Sequence, residues 1–363
     1  LGKKSASIGT LGLQADTEVH SLGKGLTTED PVTLHRYLDE LAKKQFECAI
    51  LEASSHGLDQ HRLDGVKFSA GAFTNLSHEH LDYHKNFDNY RTAKRRLFSE
   101  ILNKDMGAVL NADTEEFTDW SELARSRSLN LISFGRHGKD LKLINSIPCY
   151  SGQNLKFEAW GTEYNRHIPV FGEFQAENIL CALGLVVACG ETPEEAIEAT
   201  EALSPPPGRL ELVARILNGS SIFVDFAHTP QALSTVLREL RSQTSGKIIL
   251  VFGCGGERDQ EKRSQMGLIA DRMADEIIIT DDNPRNEKAS SIRKDILSNC
   301  QRAGEISDRA EAIKTAISML TPNDSLLIAG KGHESGQIVG DTILPFNDRT
   351  IALNLLKELR GQA

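Results

Sequence analysis

The sequence has 363 residues and a formal net charge of −10, from 41 Lys and Arg against 51 Asp and Glu. The length predicts two or three domains of roughly 150 residues each, and the acidic balance without a basic run disfavours nucleic acid as a partner. No apolar stretch reaches the ~18 to 20 residues that span a bilayer, and the start lacks the layout of a signal peptide, so we expect a soluble, cytoplasmic protein. The six cysteines lie far apart without a C-x-x-C pair, which predicts reduced thiols rather than disulfides or a zinc site.

Short apolar runs that end in Gly, Ser, Asp or Asn alternate with helix-like stretches, and this alternation predicts an α/β fold built from βα units. In the first part of the chain we predict strands over 48–51, 71–74 and 108–110, an antiparallel segment over 155–171, and helices over 32–45, 89–102 and 176–188. The run Ser204-Pro205-Pro206-Pro207-Gly208 cannot continue a helix or a central strand. We therefore predict two domains, 1–204 and 205–363.

The second domain shows the same alternation. Apolar runs lie at 222–224, 248–252, 277–279 and 326–329, and a helical pattern lies at 230–241. Strands separated by helices in this way predict a doubly wound, parallel sheet.

Polar residues follow two strands of the first domain. The first strand is followed by Glu52-Ala53-Ser54-Ser55-His56-Gly57, and the next by the segment 74–84, which contains His78, His80, Asp82 and His84. Ligands bind outside the carboxyl ends of parallel strands, and a carboxylate with several imidazoles there suits a divalent cation, with oxygen-rich coordination favouring Mg²⁺ or Mn²⁺. A single loop histidine is more often simply solvated, but several histidines and acids so close together favour a metal site.

The predicted helix 89–102 carries Lys94 in an apolar stripe. Tyr90, Ala93, Leu97, Phe98 and Ile101 share its face at helical spacing, whereas Arg91, Arg95 and Arg96 point elsewhere, toward solvent. Lys94 is then either a buried amine with a depressed pKa or a side chain whose ammonium reaches the rim.

Three strand ends of the second domain also carry polar residues. The glycine-rich segment 253–259 fails as a G-x-G-x-x-G dinucleotide loop because Arg258 stands at its third glycine position. The segments 281–285 and 330–334 end two other strands. Arginines with acids and amides at neighbouring strand ends can hold a small zwitterion, since guanidinium groups pair with a carboxylate and acids with an amine.

Taken together, these residues resemble the Mur ligase family, and the resemblance covers nearly the whole chain in order. Its pieces are Thr27-Thr28, Glu52-Ala53-Ser54-Ser55-His56-Gly57, Thr74-Asn75-Leu76-Ser77 with His80-Leu81-Asp82-Tyr83-His84, Lys94, Gly208-Arg209-Leu210-Glu211, Asp225-Phe226-Ala227-His228-Thr229-Pro230, and the segments 253–259, 282–285 and 330–334. The resemblance implies a central ATPase-like domain followed by a Rossmann-like C-terminal domain. It also implies an ATP-dependent amide ligase of peptidoglycan synthesis.

Within the family the pattern is most similar to members that add meso-2,6-diaminopimelate to UDP-N-acetylmuramoyl-L-alanyl-D-glutamate through an acyl phosphate. The resemblance implies Mg²⁺ binding by Glu52 and His80, with Lys94 carbamylated as a further, anionic ligand. It implies that Thr27, Thr28, Ser54, Gln60 and Arg62 hold the nucleotide precursor, that Asn178, Arg209 and Asp225 contact ATP, and that Arg258, Asp282, Asn283, Arg285, Gly330 and Glu334 form the diaminopimelate pocket. Arginine at position 285 favours diaminopimelate over the lysine used by some relatives.

The sequence departs from the family pattern in two respects. Gln175 stands where the family usually has Asn, and no G-x-x-G-K-[ST] phosphate loop precedes Thr27. We therefore expect the uridine-binding domain and the phosphate loop to be missing from the front of the chain, and we expect this chain alone to lack ATPase activity. Three alternatives remain open: a lysine-adding homologue, a metal-dependent hydrolase using the His78-x-His80-x-Asp82-x-His84 segment, and a fragment that binds ligands without catalysis.

Overall fold

A computed structural model describes residues 1–15, 18–20, 26–76 and 80–361, and side chains for all of these except 18–20, 82 and 359–361. Ser77, His78 and Glu79 of the predicted metal-binding segment, and the side chain of Asp82, therefore lie outside the described residues.

The described part of the chain alternates strands and helices. The strands are β1 (Ser5–Gly9), β2 (Gly12–Ala15), β3 (Glu18–His20), β4 (Cys48–Leu51), β5 (Ala70–Phe73), β6 (Gly107–Asn111), β7 (Asn130–Gly135), β8 (Leu141–Cys149), β9 (Gly152–Ala159), β10 (Thr162–Ile168), β11 (Glu211–Arg215), β12 (Ser221–Asp225), β13 (Ile248–Phe252), β14 (Glu276–Ile279), β15 (Gly304–Glu305), β16 (Ser325–Ala329), β17 (Gly336–Val339) and β18 (Thr342–Pro345). The α-helices are α1 (Pro31–Lys43), α2 (Ser55–Asp59), α3 (Leu81–His84), α4 (Phe87–Arg96), α5 (Phe117–Ser126), α6 (Glu173–Ala188), α7 (Pro193–Glu198), α8 (Pro230–Gln243), α9 (Glu261–Met273), α10 (Ala289–Leu297), α11 (Arg309–Ser318) and α12 (Asp348–Gly361). A π-helical turn, Leu97–Ile101, continues α4, and a 3₁₀ turn, Ala199–Ala202, follows α7. Within the described range no helix is both long and apolar enough to cross a membrane.

The strands form four sheets. Their orders are β3-β2-β1-β4, β10-β9-β8-β7-β6-β5, β11-β12-β16-β13-β14-β15 and β17-β18. Strands β5 to β8 pair in parallel, as do β1 with β4 and the run β12-β16-β13-β14-β15. The predicted α/β fold is confirmed.

The chain divides into two compact units. The first comprises Leu1–Asn145, Leu155–Arg166 and Ala176–Ala202, and the second comprises Ser146–Asn154, His167–Gln175 and Leu203–Ala363. The domain boundary at residue 204 stays a prediction.

Alternate side chains of β13 pack into two different apolar clusters of the second unit. Leu250 and Phe252 belong to one apolar cluster, which includes residues of α8, α9 and α10, whereas Ile249 and Val251 belong to another, which includes residues of α11 and α12. Successive side chains of a strand point to opposite faces of its sheet. Helices therefore cover both faces, as a doubly wound sheet requires.

Local sequence explains the helices that flank the first unit's site. Helix α1 begins where the Asp30 carboxylate accepts hydrogen bonds from the amides of Val32 and Thr33, with Pro31 in the first turn. Helix α4 begins at Asn86, whose side chain accepts from the amide of Asn89. The stripe predicted around Lys94 is confirmed as apolar, since Tyr90, Ala93, Leu97 and Phe98 are buried.

Candidate functional site

The first cluster of polar side chains lies at the carboxyl ends of β1 and β4. These parallel strands are in register from Ser5 opposite Cys48 to Ile8 opposite Leu51, so Thr10 and Glu52 follow them at the same edge. Glu52 Oε2 accepts hydrogen bonds from the amide and the hydroxyl of Thr10, both at 2.9 Å. A Cβ on Gly9 would lie 2.7 Å from Glu52 Oε2, so glycine permits this close approach.

The two threonines predicted to hold the nucleotide precursor join this cluster. The Thr28 hydroxyl, which is buried, donates to the carbonyl oxygen of Glu52 at 2.7 Å and accepts from the amide of Ser54 at 2.9 Å. Ser54 in turn caps α2 through a 3.0 Å hydrogen bond from the amide of Gly57. The Thr27 hydroxyl lies 3.1 Å from the hydroxyl of Thr10.

Gln60 and Arg62 are attached to the same cluster. Arg62 Nη1 donates to the carbonyl oxygen of Thr28 at 2.7 Å, and Arg62 Nε donates to Gln60 Oε1 at 3.1 Å. Gln60 Nε2 donates to the Tyr83 hydroxyl at 2.9 Å, and that hydroxyl donates to Asp59 Oδ2 at 2.8 Å. All five residues predicted for the precursor are thus connected by hydrogen bonds directly or through Thr10 and Glu52.

Lys94 and His80 meet the cluster from α4 and α3. Lys94 is half-buried, and its Nζ donates to the carbonyl oxygen of Ala53 at 3.1 Å, directly beside Glu52 in the chain. His80 adopts a left-handed backbone conformation with φ of 59°, and its ring lies 5.8 Å from that of Tyr90, one turn before Lys94. The structure therefore places Lys94 at the residue that follows Glu52, and His80 against Tyr90 on the same helix as Lys94.

One expectation for α4 is wrong. Arg96 was expected to face solvent, but its side chain is only 12% exposed. It donates to the carbonyl oxygen of Leu58 and to the carboxylates of Asp64 and Glu100. Arg96 thus ties α4 to α2, which stabilises the segment that carries the precursor-binding residues.

The donor chemistry beside β4 fits Mg²⁺ at Glu52, because this carboxylate is exposed and already oriented by Thr10. His80 adds an imidazole. Lys94 is an ammonium donor here, which repels a cation, so it fits a metal site only as its carbamate. Among the side chains that the structure describes, no three His, Cys, Asp or Glu residues form a metal-binding group.

The second cluster lies at the carboxyl ends of β12, β16, β13 and β14. In this sheet Asp225 pairs with Ala329, Ala329 with Phe252, and Phe252 with Ile279, so the strands end at the same level. The residues after them, which include Gly253, Asp282 and Gly330, consequently share one edge.

Asp225 is buried, and its two carboxylate oxygens accept the amides of Leu210 at 2.6 Å and Ala227 at 2.7 Å. Burial raises the pKa of Asp225 from 3.8 to about 6, against the opposing effect of these hydrogen bonds and of the Arg209 charge. The Arg209 guanidinium lies over the Phe226 ring, 4.8 Å from its centroid. Asn178, the third residue predicted for ATP, is exposed on α6 of the first unit.

The residues predicted for the amino-acid pocket form a network. Asn283 Nδ2 donates to Glu334 Oε2 at 2.9 Å, and the Asn283 amide donates to Asp282 Oδ1 at 2.7 Å. Gly330 has a φ of +110°, and a Cβ there would lie 2.8 Å from Asp282 Oδ2. Glycine is thus needed for both backbone conformation and contact.

The two arginines of the pocket differ in their surroundings. Arg285 is half-buried with a φ of 52°, and its Nη1 donates to the carbonyl oxygen of Gly256 at 2.8 Å. A Cβ on Gly255 would lie 2.9 Å from this guanidinium nitrogen. Arg258 is exposed on the glycine-rich loop.

Sequence reasoning missed three residues of these clusters: Thr10, Lys331 and Arg309. Thr10 follows a strand end, which could have marked it. Lys331 is fully buried and donates to both Asn283 and Glu334, although it lies within a segment that was recognised. Arg309 is fully buried with Asp348, and its Nη2 donates to the carbonyl oxygen of Ala329 at 2.9 Å. No sequence signal distinguishes Arg309 from an exposed helical arginine.

Comparisons with known proteins agree with this arrangement. Residues 1–186 match the Mur ligase middle domain, and residues 208–332 match the Mur ligase, glutamate ligase domain. The chain is 44% identical over 363 residues to a UDP-N-acetylmuramoyl-L-alanyl-D-glutamate--2,6-diaminopimelate ligase of Caulobacter vibrioides, covering 98% of this chain and 74% of the relative. It is 46% identical over 364 residues to the ligase of the same name from Agrobacterium fabrum, covering 99% of this chain and 73% of the relative.

Solved structures of similar proteins share this fold. A structure of a ligase with that name superimposes with a TM-score of 0.70 at 30% identity, covering 99% of this chain and 73% of the other. A folylpolyglutamate synthase of Mycobacterium tuberculosis, complexed with ADP and AMPPCP, superimposes with a TM-score of 0.73 at 15% identity, covering 99% and 85%, and this likeness concerns the fold alone. The fold is therefore one that Mur ligases share with folylpolyglutamate synthase. The chain belongs to the Mur ligase family of ATP-dependent, amide-forming enzymes.

Proposed function

We propose that this chain joins meso-2,6-diaminopimelate to UDP-N-acetylmuramoyl-L-alanyl-D-glutamate, with ATP as co-substrate, in peptidoglycan biosynthesis. The observation that carries the proposal is the edge of the second unit, where Asn283 binds both Asp282 and Glu334 while its carbonyl oxygen accepts from Arg285 Nη1 at 3.5 Å. Acids beside an arginine suit an amino acid with both an ammonium and a carboxylate at its distal end. The names of the relatives at 44% and 46% identity support the same substrates.

The reaction has two steps with balanced bonds. An oxygen of the D-glutamyl γ-carboxylate attacks the γ-phosphorus of ATP, and ADP leaves. The amine of diaminopimelate then attacks the acyl carbon, loses its proton and expels phosphate. Thr27, Thr28, Ser54, Gln60 and Arg62 would bind and orient the precursor, since they form one hydrogen-bonded cluster in the first unit.

Glu52 and His80 would hold Mg²⁺ at the edge where β4 ends. When bound, this ion neutralises negative charge on the phosphates during transfer. The Lys94 ammonium would lose one proton, and the resulting amine would combine with CO₂ and lose a second proton, so that an anionic oxygen ligand replaces a cation. Its contact with the carbonyl oxygen of Ala53 supports this role, because it holds the amine beside Glu52.

Arg209, Asp225 and Asn178 would contact ATP. Arg209 and Asp225 are tied together through Leu210, whose amide binds the Asp225 carboxylate. We also assign ligand-binding tasks to the predicted domains: 1–204 to ATP and the nucleotide precursor, and 205–363 to the amino acid.

Arg285 and Arg258 would bind the distal carboxylate of diaminopimelate, while Asp282 and Glu334 bind its amine and Asn283 orients Glu334 within the pocket. L-Lysine carries the same distal amine without the carboxylate. The arginines therefore select diaminopimelate over lysine, because only diaminopimelate pairs with their charge.

The test is ligation of radiolabelled amino acid to the precursor in the presence of ATP and Mg²⁺, in an enzyme that carries a phosphate loop ahead of these residues, with meso-diaminopimelate and L-lysine compared at equal concentration. We expect product with diaminopimelate and phosphate release in equal amount. Preferential use of lysine would overturn the substrate assignment, and metal-dependent hydrolysis without a need for ATP would overturn the ligase chemistry.

A further inference from the structure

Lys331 occupies the centre of the second unit's polar cluster. It lies in the turn after β16, and it is fully buried, whereas the side chain of Glu334 beside it is 33% exposed. Lys331 Nζ donates to Glu334 Oε2 at 2.8 Å and to Asn283 Oδ1 at 3.0 Å. Because it is fully buried and bonded to this partly exposed carboxylate, this lysine acts through its neighbours.

The hydrogen bonds around Asn283 permit only one orientation of its amide. Asn283 Oδ1 accepts from Lys331 Nζ and from the amide of Ile338, at 3.0 and 2.9 Å. Asn283 Nδ2 donates to Glu334 Oε2. A flipped amide would place its NH₂ group against two donors and its oxygen against a carboxylate, so the network allows only this orientation of the amide.

The same network orients Glu334. Its Oε2 atom accepts from both Asn283 and Lys331, so Oε1 is the oxygen outside this pair of hydrogen bonds. A buried ion pair with further hydrogen bonds has a defined geometry, and loss of one partner leaves an uncompensated charge. Lys331 therefore holds the direction of the carboxylate.

We propose that Lys331 is a positioning residue for amino-acid binding: it holds the Glu334 carboxylate, directly and through the Asn283 amide, in the one arrangement that accepts the distal ammonium group of the incoming amino acid. This inference rests on the proposed function, because it deepens the assignment of the diaminopimelate pocket.

The test compares steady-state kinetics of wild type, Lys331→Met, Glu334→Gln and the double variant with diaminopimelate as the varied substrate. Lys331→Met should raise KM for diaminopimelate by about 10- to 100-fold, because it leaves polar partners unpaired. It should change kcat at saturation by less than about threefold and leave the KM values for ATP and precursor unchanged. A merely structural defect would lower kcat and all affinities together.

The double variant supplies the sharper readout. If Lys331 acts through Glu334, then Lys331→Met added to Glu334→Gln changes KM by less than about threefold, since interacting residues are not additive. This variant removes both charges of the pair and is expected to fold even if Lys331→Met does not. If the KM increase of the double variant equalled the product of the increases of the two single variants, the inference would be overturned.

Lys247→Met is the matched control. Lys247 also pairs with a carboxylate, Glu276, at 3.0 Å, but it precedes β13 at the opposite end of the strand and is 59% exposed. Its kinetics should match those of the wild type. A wild type that does not use diaminopimelate would refute the proposed function, whereas an active wild type with an unchanged Lys331→Met would refute only the role of Lys331.

Discussion

The polar groups at the strand ends of the second unit are buried and bonded to one another, whereas those of the first unit are more exposed. Lys331 is 0% exposed and Asn283 is 4% exposed, and both bind Glu334. In the first unit Glu52 and His80 are exposed and Lys94 is half-buried against a backbone carbonyl.

This difference has a physical consequence. A pocket whose donors and acceptors already bind each other is preorganised, so little ordering remains when a small ligand enters. Exposed carboxylate and imidazole groups keep lone pairs available for groups that arrive from solution. We infer that the second unit recognises shape and charge of a small molecule, while the first unit gathers charged groups around reacting phosphates.

The largest expected effect concerns the buried ion pair of the second unit. Arg309→Met leaves the fully buried Asp348 without its partner, which should lower the free energy of unfolding by about 3 to 5 kcal/mol. Arg95→Met is the matched control in the first unit, because the Arg95 and Asp119 side chains are 36% and 50% exposed and their pair should contribute about 1 kcal/mol or less. Urea denaturation monitored at equilibrium measures both. Equal losses of unfolding free energy in the two variants would contradict the contrast between a buried and a more exposed ion pair.

The second expected effect concerns catalysis in the first unit. In the active enzyme Lys94→Ala should lower the ligation rate by about 10²- to 10³-fold, because it removes one electrostatic element at the reacting phosphates. Arg91→Ala, on the same helix but paired with Asp119 and Glu116, should retain wild-type rate. If Lys94 is carbamylated, added short carboxylic acids or high bicarbonate should restore activity to Lys94→Ala. A dead variant that carboxylates do not restore would contradict the carbamate, and near-normal activity would contradict any role of Lys94.

The third expected effect separates the two ends of the amino acid. Arg285→Ala should weaken use of diaminopimelate by about 2 to 4 kcal/mol, since the distal carboxylate loses its partner. The KM values for ATP and the precursor should not change. Arg272→Ala, an exposed arginine on α9, serves as control. Equal losses with lysine and diaminopimelate as acceptors would show that Arg285 only supports the loop at Gly256.

Much of this fold could be predicted from local sequence. Residues 48–51 and 248–252 were predicted as strands and form β4 and β13 with those bounds, because each apolar run is interrupted sharply by polar or turn residues. The predicted helix 89–102 is instead α4 from Phe87 followed by a π-helical turn. Such a turn depends on packing, which the hydrophobic period does not report.

The chemistry of the sites was predictable where side chains follow strand ends, as for Glu52 and Asp282. Lys331 was missed as a site residue because its partner Asn283 lies 48 positions away in the chain. A lysine between two glycines is typical of an exposed turn, and only tertiary contacts reveal its burial. Arg96 was misassigned for the same reason, since its partners lie on α2 and on the residues that follow it.

The smallest expected effect is a pH dependence of stability that originates at Asp225. Its pKa rises from 3.8 to about 6 in the folded protein, so between these values the native state retains a proton that the unfolded state has lost. Unfolding then releases a proton, and the free energy of unfolding decreases as pH rises through this window. At pH 7 the full penalty is about 2 to 3 kcal/mol relative to pH 4, and Asp225→Asn should abolish this contribution. The free energy of unfolding of Asp225→Asn, relative to that of the wild type, should therefore increase from pH 4 to pH 7. Urea denaturation at both pH values measures this difference. If the free energy of unfolding changed with pH equally in wild type and variant, the amides of Leu210 and Ala227 would stabilise the carboxylate as fully as water does.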